Sequence, residues 1–185
     1  MIGGRSHATD GGRYTATAIA FHWVIAALIV VNLAIGLIPP LGILFFLHKP
    51  IGIVVLVLSA LRLVWRAGHP APPLPGTVAP WNRALASVTQ WLLYMGMILM
   101  PVSGWVFTSA SLKRRPLSFG LFDVPPLPVM QSDAVGAPWH QGHVVGGWIM
   151  LGLVALHVAG ALKHHFLDRD ATLDRMLPRR RPVSL

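Results

Sequence analysis

The chain has 185 residues, 54% of them hydrophobic and 11% charged, with a net charge of +9. Soluble domains average about 25% charged, so the composition points to a membrane protein, read as one domain over residues 1–185. The absence of cysteine excludes disulfides, Cys-ligated zinc, iron–sulfur clusters and covalently attached c-type haem. With nine His against six acidic residues, imidazole is the expected ligand for any metal.

A membrane-spanning helix needs about 20 mostly apolar residues. The first such run, Ile19–Ile38, is interrupted only by His22 and Asn32, and the helix is expected over about 16–38. This run is longer than a signal-peptide core and lacks a clear cleavage site, so it reads as a retained helix. After a short Pro-Pro-Leu-Gly turn, a second helix over about 46–66 starts near His48, with Pro50 tolerated in its first turn. The linker RAGHPAPPLPGTVAPWNR is too rich in Pro to be helical throughout. Ala84–Leu112 carries no charge; the third helix is expected over 82–110, kinked at Pro101. The stretch Lys113–Gln141 reads as the longest polar segment, and a fourth helix follows over about 140–165. The fold class is therefore an all-α membrane protein, a four-helix bundle.

Four spans place both termini on one side. The N-terminus, second linker and C-terminus hold eleven Lys or Arg, against four in the first and third linkers. The positive-inside rule puts both termini in the cytoplasm. The basic residues lie at the ends of apolar runs, which fits membrane topology better than nucleic-acid binding.

The histidines carry the chemistry. His143 and His157 are fourteen residues apart, about 21 Å along a helix and within ~40° of one face. His48 sits at the same external level as His143, and His22 at the same internal level as His157. Two His from facing helices at one level can clamp a flat metal macrocycle. Haem suits an apolar bundle core, and imidazole can fill both axial positions. A centre closed in that way moves electrons rather than activating a ligand, and two stacked centres make a transmembrane path. The alternative is that these are polar residues bonding carbonyls across helices. Zinc or copper transport would want acidic partners, which the four runs lack. Gly52, Gly146 and Gly147 either admit a ring plane or simply pack helices. Met95, Met97 and Met100 read as filler rather than ligands. His140, a quarter turn off the stripe, is not an expected ligand. Arg62 either pairs with haem propionates at the inner level or snorkels to headgroups.

FHW at the first helix, LHKPIGIVVLVLSALRLVWR at the second, HPAPPLP in the linker and ALHVAGALKHHFLDRD at the end together resemble the bacterial cytochrome b561 family, over residues 13 to 177. The resemblance implies a four-helix inner-membrane, multi-pass protein with two b-type haems and His22, His48, His143 and His157 as axial ligands. It also implies oxidation of periplasmic superoxide and reduction of ubiquinone, an oxidoreductase activity, with a quinone site near the cytoplasmic haem. Ser59, Arg62 and His164 are the candidates for that site. Lys113, Arg114 and Arg115 form a basic cluster on the external side, where they either steer superoxide or are a topological exception. The competing reading is an electron-transfer and anchor subunit of a larger partner such as a hydrogenase or formate dehydrogenase. A haem-free transporter or packing protein is a further rival.

Overall fold

The computed structural model describes residues 12–70, 72, 80–113, 117–119 and 122–178. Four long helices make the bundle: α1 (Ala16–Leu37), α2 (Phe45–Gly68), α3 (Pro80–Ala110) and α4 (Asp133–Phe166). Each is long and apolar enough to cross a membrane. Large apolar side chains face outward along all four, Val64 and Trp148 among them, as a lipid-facing surface requires.

α1 begins where the Thr15 hydroxyl accepts from the Ala18 N–H at 3.2 Å, satisfying one of the free donors of the first turn. The same hydroxyl accepts from Trp65 Nε1 at 3.2 Å. One side chain thus caps α1 and ties it to the far end of α2. At the other end Pro39 and Pro40 stop α1, and a 3-10 turn over Pro39–Leu44 leads into α2. α2 starts three residues before His48, so Pro50 lies in the second turn rather than the first. It removes the bond that the Phe46 carbonyl would otherwise accept. α3 runs unbroken through Pro101.

The largest departure from the sequence reading is in the third connection. α4 starts at Asp133, not near residue 140. The Ser132 hydroxyl accepts from the Ala134 N–H at 3.1 Å, and Asp133 places a negative charge in the first turn, where the helix dipole favours it. These local signals outweigh the polar composition and Pro138. The polar segment is shorter than expected and carries an antiparallel ladder of β1 (Leu117–Ser118) with β2 (Asp123–Val124), pairing Leu117 with Val124. Ser132 N–H donates to the Ala110 carbonyl at 3.0 Å, clasping the end of α3 to the start of α4.

α4 packs along α3, and α2 packs along both α1 and α3, whereas α1 and α4 meet only sparsely. A small core of Ile25, Tyr94, Met97 and Met150 fills mid-bundle. The chain after α4 folds back as a hook. Arg169 takes a positive φ of 50°, which reverses the direction. The hook is then held on α1 by Trp23 Nε1 to the Met176 carbonyl at 2.8 Å, and on the residues just before α1 by Arg13 to the Leu177 carbonyl at 2.7 Å. The bundle thus has a hairpin end and a hook end.

Candidate functional site

The fourth helix is continuous across His143 and His157, so the two levels are about 21 Å apart along its axis. At the hairpin end the His48 and His143 rings are brought together with centroids 5.9 Å apart and planes at 84°. At the hook end His22 and His157 meet at 6.1 Å and 64°. Two imidazoles on opposite sides of one metal atom would have centroids about 6 Å apart: two bonds of ~2 Å and roughly 1 Å from each nitrogen to its ring centre. Both pairs fit that spacing.

The hairpin-end pair lines a cavity of about 290 Å³. Its walls are apolar and include Gly36, Gly52, Gly104 and Gly147, with Leu117 of β1 and Phe107 toward the hairpin. This is the composition expected of a site for a large apolar cofactor with a few fixed polar groups. Lys49 and His140 also line it.

Hydrogen bonding fixes the ring states differently at the two levels. His143 Nδ1 lies 3.0 Å from the Met100 carbonyl and 2.9 Å from the Ser103 hydroxyl, which itself donates to that carbonyl at 2.8 Å. A carbonyl only accepts, so Nδ1 carries the proton and Nε2 keeps a lone pair, the form in which His binds metal. At the other level Arg62 Nη1 lies 3.2 Å from His22 Nδ1. A guanidinium only donates, so here Nδ1 accepts and the neutral ring holds its proton on Nε2. For His22 to bind metal through Nε2 as a neutral ring, Arg62 must leave Nδ1.

Arg62 reaches this level by the same interval that positions His157. Fourteen residues separate His48 from Arg62 on α2, and fourteen separate His143 from His157 on α4. Arg66 follows one turn later and donates to the Tyr94 hydroxyl at 3.2 Å. Both guanidiniums lie over the Tyr94 ring, at 5.8 and 5.6 Å from its centre. Among the described residues neither is ion-paired with a carboxylate. Two such cations beside one His level are a ready partner for acidic groups of a ligand.

The other predicted residues separate. Ser59 is wholly buried one turn before Arg62, and its hydroxyl has no hydrogen-bond partner. His164 is drawn into the hook: its Nδ1 lies 2.7 Å from Asp170 and 3.2 Å from Asp168. Asp168 is also paired with Lys163 at 2.6 Å. Lys113 is exposed at the hairpin end, whereas Arg114 and Arg115 lie outside the described residues. Sequence reasoning missed Ser103, Tyr94, Arg66, Gly36 and Gly104. Gly36 had a signal: it follows His22 by fourteen residues, the interval that separates the levels. Ser103 had none, because its partner is forty residues away.

Fold and site together define a four-helix membrane protein with stacked histidine pairs, the architecture of a transmembrane cytochrome b. Residues 13–179 match the prokaryotic cytochrome b561 family. The chain is 35% identical to cytochrome b561 homolog 2 of Escherichia coli K12, over 89% of this chain and 91% of that protein. It is 29% identical to cytochrome b561 homolog 1 of the same organism, over 91% and 99%. It is 25% identical to the probable superoxide oxidase CybB of Yersinia pestis, over 91% and 98%. The chain belongs to the prokaryotic cytochrome b561 family. Membership makes it a multi-pass bacterial membrane protein of electron transfer and implies b-type haem as its cofactor.

Proposed function

We propose that this chain holds two b-type haems in the inner membrane and carries electrons between superoxide outside and ubiquinone. His48 and His143 would hold the haem at the hairpin end, and His22 and His157 that at the hook end. The observation that carries the reading is the pair of centroid separations, 5.9 and 6.1 Å, each suited to one metal atom. Haem at each level would supply reversible one-electron chemistry. The paired His residues would hold it from both faces and so exclude oxygen from the metal.

The excess of Lys and Arg near the hook end supports an orientation with the hairpin end in the periplasm and the hook end in the cytoplasm. Superoxide is a small anion, and Lys49 at the cavity wall, together with Lys113, Arg114 and Arg115 in the hairpin connection, supplies the positive field that draws it in. Similarity to a relative named as a probable superoxide oxidase supports this donor. Two superoxide ions each give up one electron and leave as dioxygen. One ubiquinone takes both electrons with two protons and becomes ubiquinol. Arg62, once released from His22, would pair with haem carboxylates at the hook end. Ser59 and His164 are the polar groups assigned to the quinone at that end. His164 offers its Nε2, since Nδ1 is held by Asp170 at 2.7 Å.

The test is stopped-flow mixing of the purified oxidised protein with superoxide, then with ubiquinone. Haem bands that reduce within the mixing experiment and reoxidise on addition of quinone are expected. Two haems that superoxide leaves oxidised would shift the reading to an electron-transfer subunit of a larger oxidoreductase. A colourless protein would end both.

A further inference from the structure

The two rings at the hairpin end come from different helices yet rest on helix backbone in the same way. A Cβ added at Gly36 of α1 would lie 3.0 Å from His48 Cε1, 3.4 Å from its Nδ1 and 3.9 Å from its Nε2. A Cβ added at Gly104 of α3 would lie 3.0, 3.3 and 3.7 Å from the same atoms of His143. In each case the Nδ1–Cε1–Nε2 edge of the ring faces the glycine, with Nδ1 nearer to it than Nε2.

The carbonyl one turn before each glycine explains the arrangement. A helical carbonyl accepts from the N–H four residues on and keeps a second lone pair. A side chain at that later residue would stand beside the lone pair; glycine leaves it open. Met100 is four residues before Gly104, and its carbonyl receives His143 Nδ1 at 3.0 Å. Asn32 is four residues before Gly36, and His48 faces its carbonyl. That second contact is looser: His48 Nδ1 is buried and does not meet hydrogen-bond geometry. A buried N–H without an acceptor is unfavourable by about 1–3 kcal/mol, so the Asn32 carbonyl is where the ring gains by settling.

We infer that Gly36 and Gly104 are positioning residues for the two hairpin-end ligands, each uncovering a backbone carbonyl that holds Nδ1–H and leaves Nε2 as the metal-binding nitrogen. The α1–α2 and α3–α4 pairs thus repeat one device, a His on the second helix set against a glycine on the first. At the hook-end level the ring nitrogen of His22 faces Arg62 instead. The inference rests on His48 and His143 being axial ligands of a haem.

The experiment compares Gly36→Ala and Gly104→Ala with Gly152→Ala and Gly160→Ala, where an added Cβ meets nothing within 4 Å. Alanine is the better helix former, so backbone propensity is not what the first two variants disturb. Each purified protein is titrated for its two redox components, and its haem is challenged with excess apomyoglobin. Gly36→Ala and Gly104→Ala are expected to move the potential of one component only. They should also release one haem at least about tenfold faster, a loss near 1.4 kcal/mol. The controls should match the unmutated protein. If all four variants match it while it carries two haems, the positioning role is overturned and the two-haem reading stands. If the unmutated protein carries fewer than two haems, that reading itself fails. Should the test variants not fold, unmutated protein labelled with 15N-histidine decides by pulsed EPR. A protonated, hydrogen-bonded Nδ1 on both hairpin-end ligands is expected, and an unbonded Nδ1 on either overturns the inference.

Discussion

The hairpin-end and hook-end histidine levels look equivalent along the sequence and are built differently in space. At the hairpin end the His143 ring is held by neutral acceptors, a carbonyl at 3.0 Å and a hydroxyl at 2.9 Å. At the hook end His22 faces a cation at 3.2 Å. A neutral acceptor leaves the metal-binding nitrogen ready without adding charge. A guanidinium demands rearrangement before His22 can serve, and it then leaves a positive charge beside the site. On the proposed two-haem reading, the Arg62 cation lies against its own His level, whereas Lys49 lines the cavity wall at the other; it would favour the added electron and make the hook-end centre the more easily reduced. Electron flow from the hairpin end toward the hook end, as proposed, would then be downhill.

The largest effect that would break the comparison is loss of a ligand. His143→Ala should remove the hairpin-end haem and halve the haem per chain, while His22→Ala should remove the other. Haem content and a redox titration would show which component goes. Loss of both components together would mean the levels are not independent.

Arg62→Ala sharpens the comparison at the hook end. Removing one charge at roughly 10 Å, with an effective dielectric constant near 20, is worth about 1–2 kcal/mol, or on the order of 50–80 mV. The higher-potential component, assigned to the hook end, should shift down by that amount, with the other unchanged in a potentiometric titration. Equal shifts in both would deny the asymmetry.

Neutralising Lys113, Arg114 and Arg115 together should slow reduction by superoxide about tenfold at low ionic strength, the lower end of the ~10- to 1000-fold range of steering effects. The difference should vanish at high salt, where charges are screened within about 3 Å. A rate unchanged at low salt would remove the steering role.

Ser103→Ala should matter less, because the Met100 carbonyl still receives His143. A typical net loss is about 1 kcal/mol, read as a modest rise in haem release from the hairpin end alone.

The smallest effect concerns the hook. Burial pushes the Asp170 carboxyl up. The adjacent Thr172 hydroxyl, which falls short of hydrogen-bond geometry, the Thr172 N–H at 2.8 Å and His164 outweigh that and hold it below its usual range. A depressed carboxyl stabilises the folded hook above its unfolded value of about 3.9 and loses that contribution as pH falls through the folded value. Acidification below pH 4 should therefore free the hook and change the fluorescence of Trp23, whose indole N–H is bound to the Met176 carbonyl. Asp170→Asn should show the freed state at neutral pH.

Much of this was legible without coordinates. Long apolar runs dictate spanning helices because backbone polar groups find no water in the bilayer. The fourteen-residue interval between His143 and His157 then fixes two levels, since helical rise and twist are constant. Those are local properties, carried by one segment at a time. The early start of α4 was hidden because Ser132 and Asp133 act through capping, which a hydropathy reading of a polar stretch passes over. Ring states were hidden for a different reason. His22 meets Arg62 forty residues away, His143 meets Met100 across forty-three, and Trp23 meets Met176 across 153. The sequence by itself determined the membrane class, the four spans and the heights of the histidines. Only the tertiary structure decided which nitrogen faces a carbonyl and which a guanidinium. Helix geometry sets height and face, but the partner is supplied by whichever helix packs alongside.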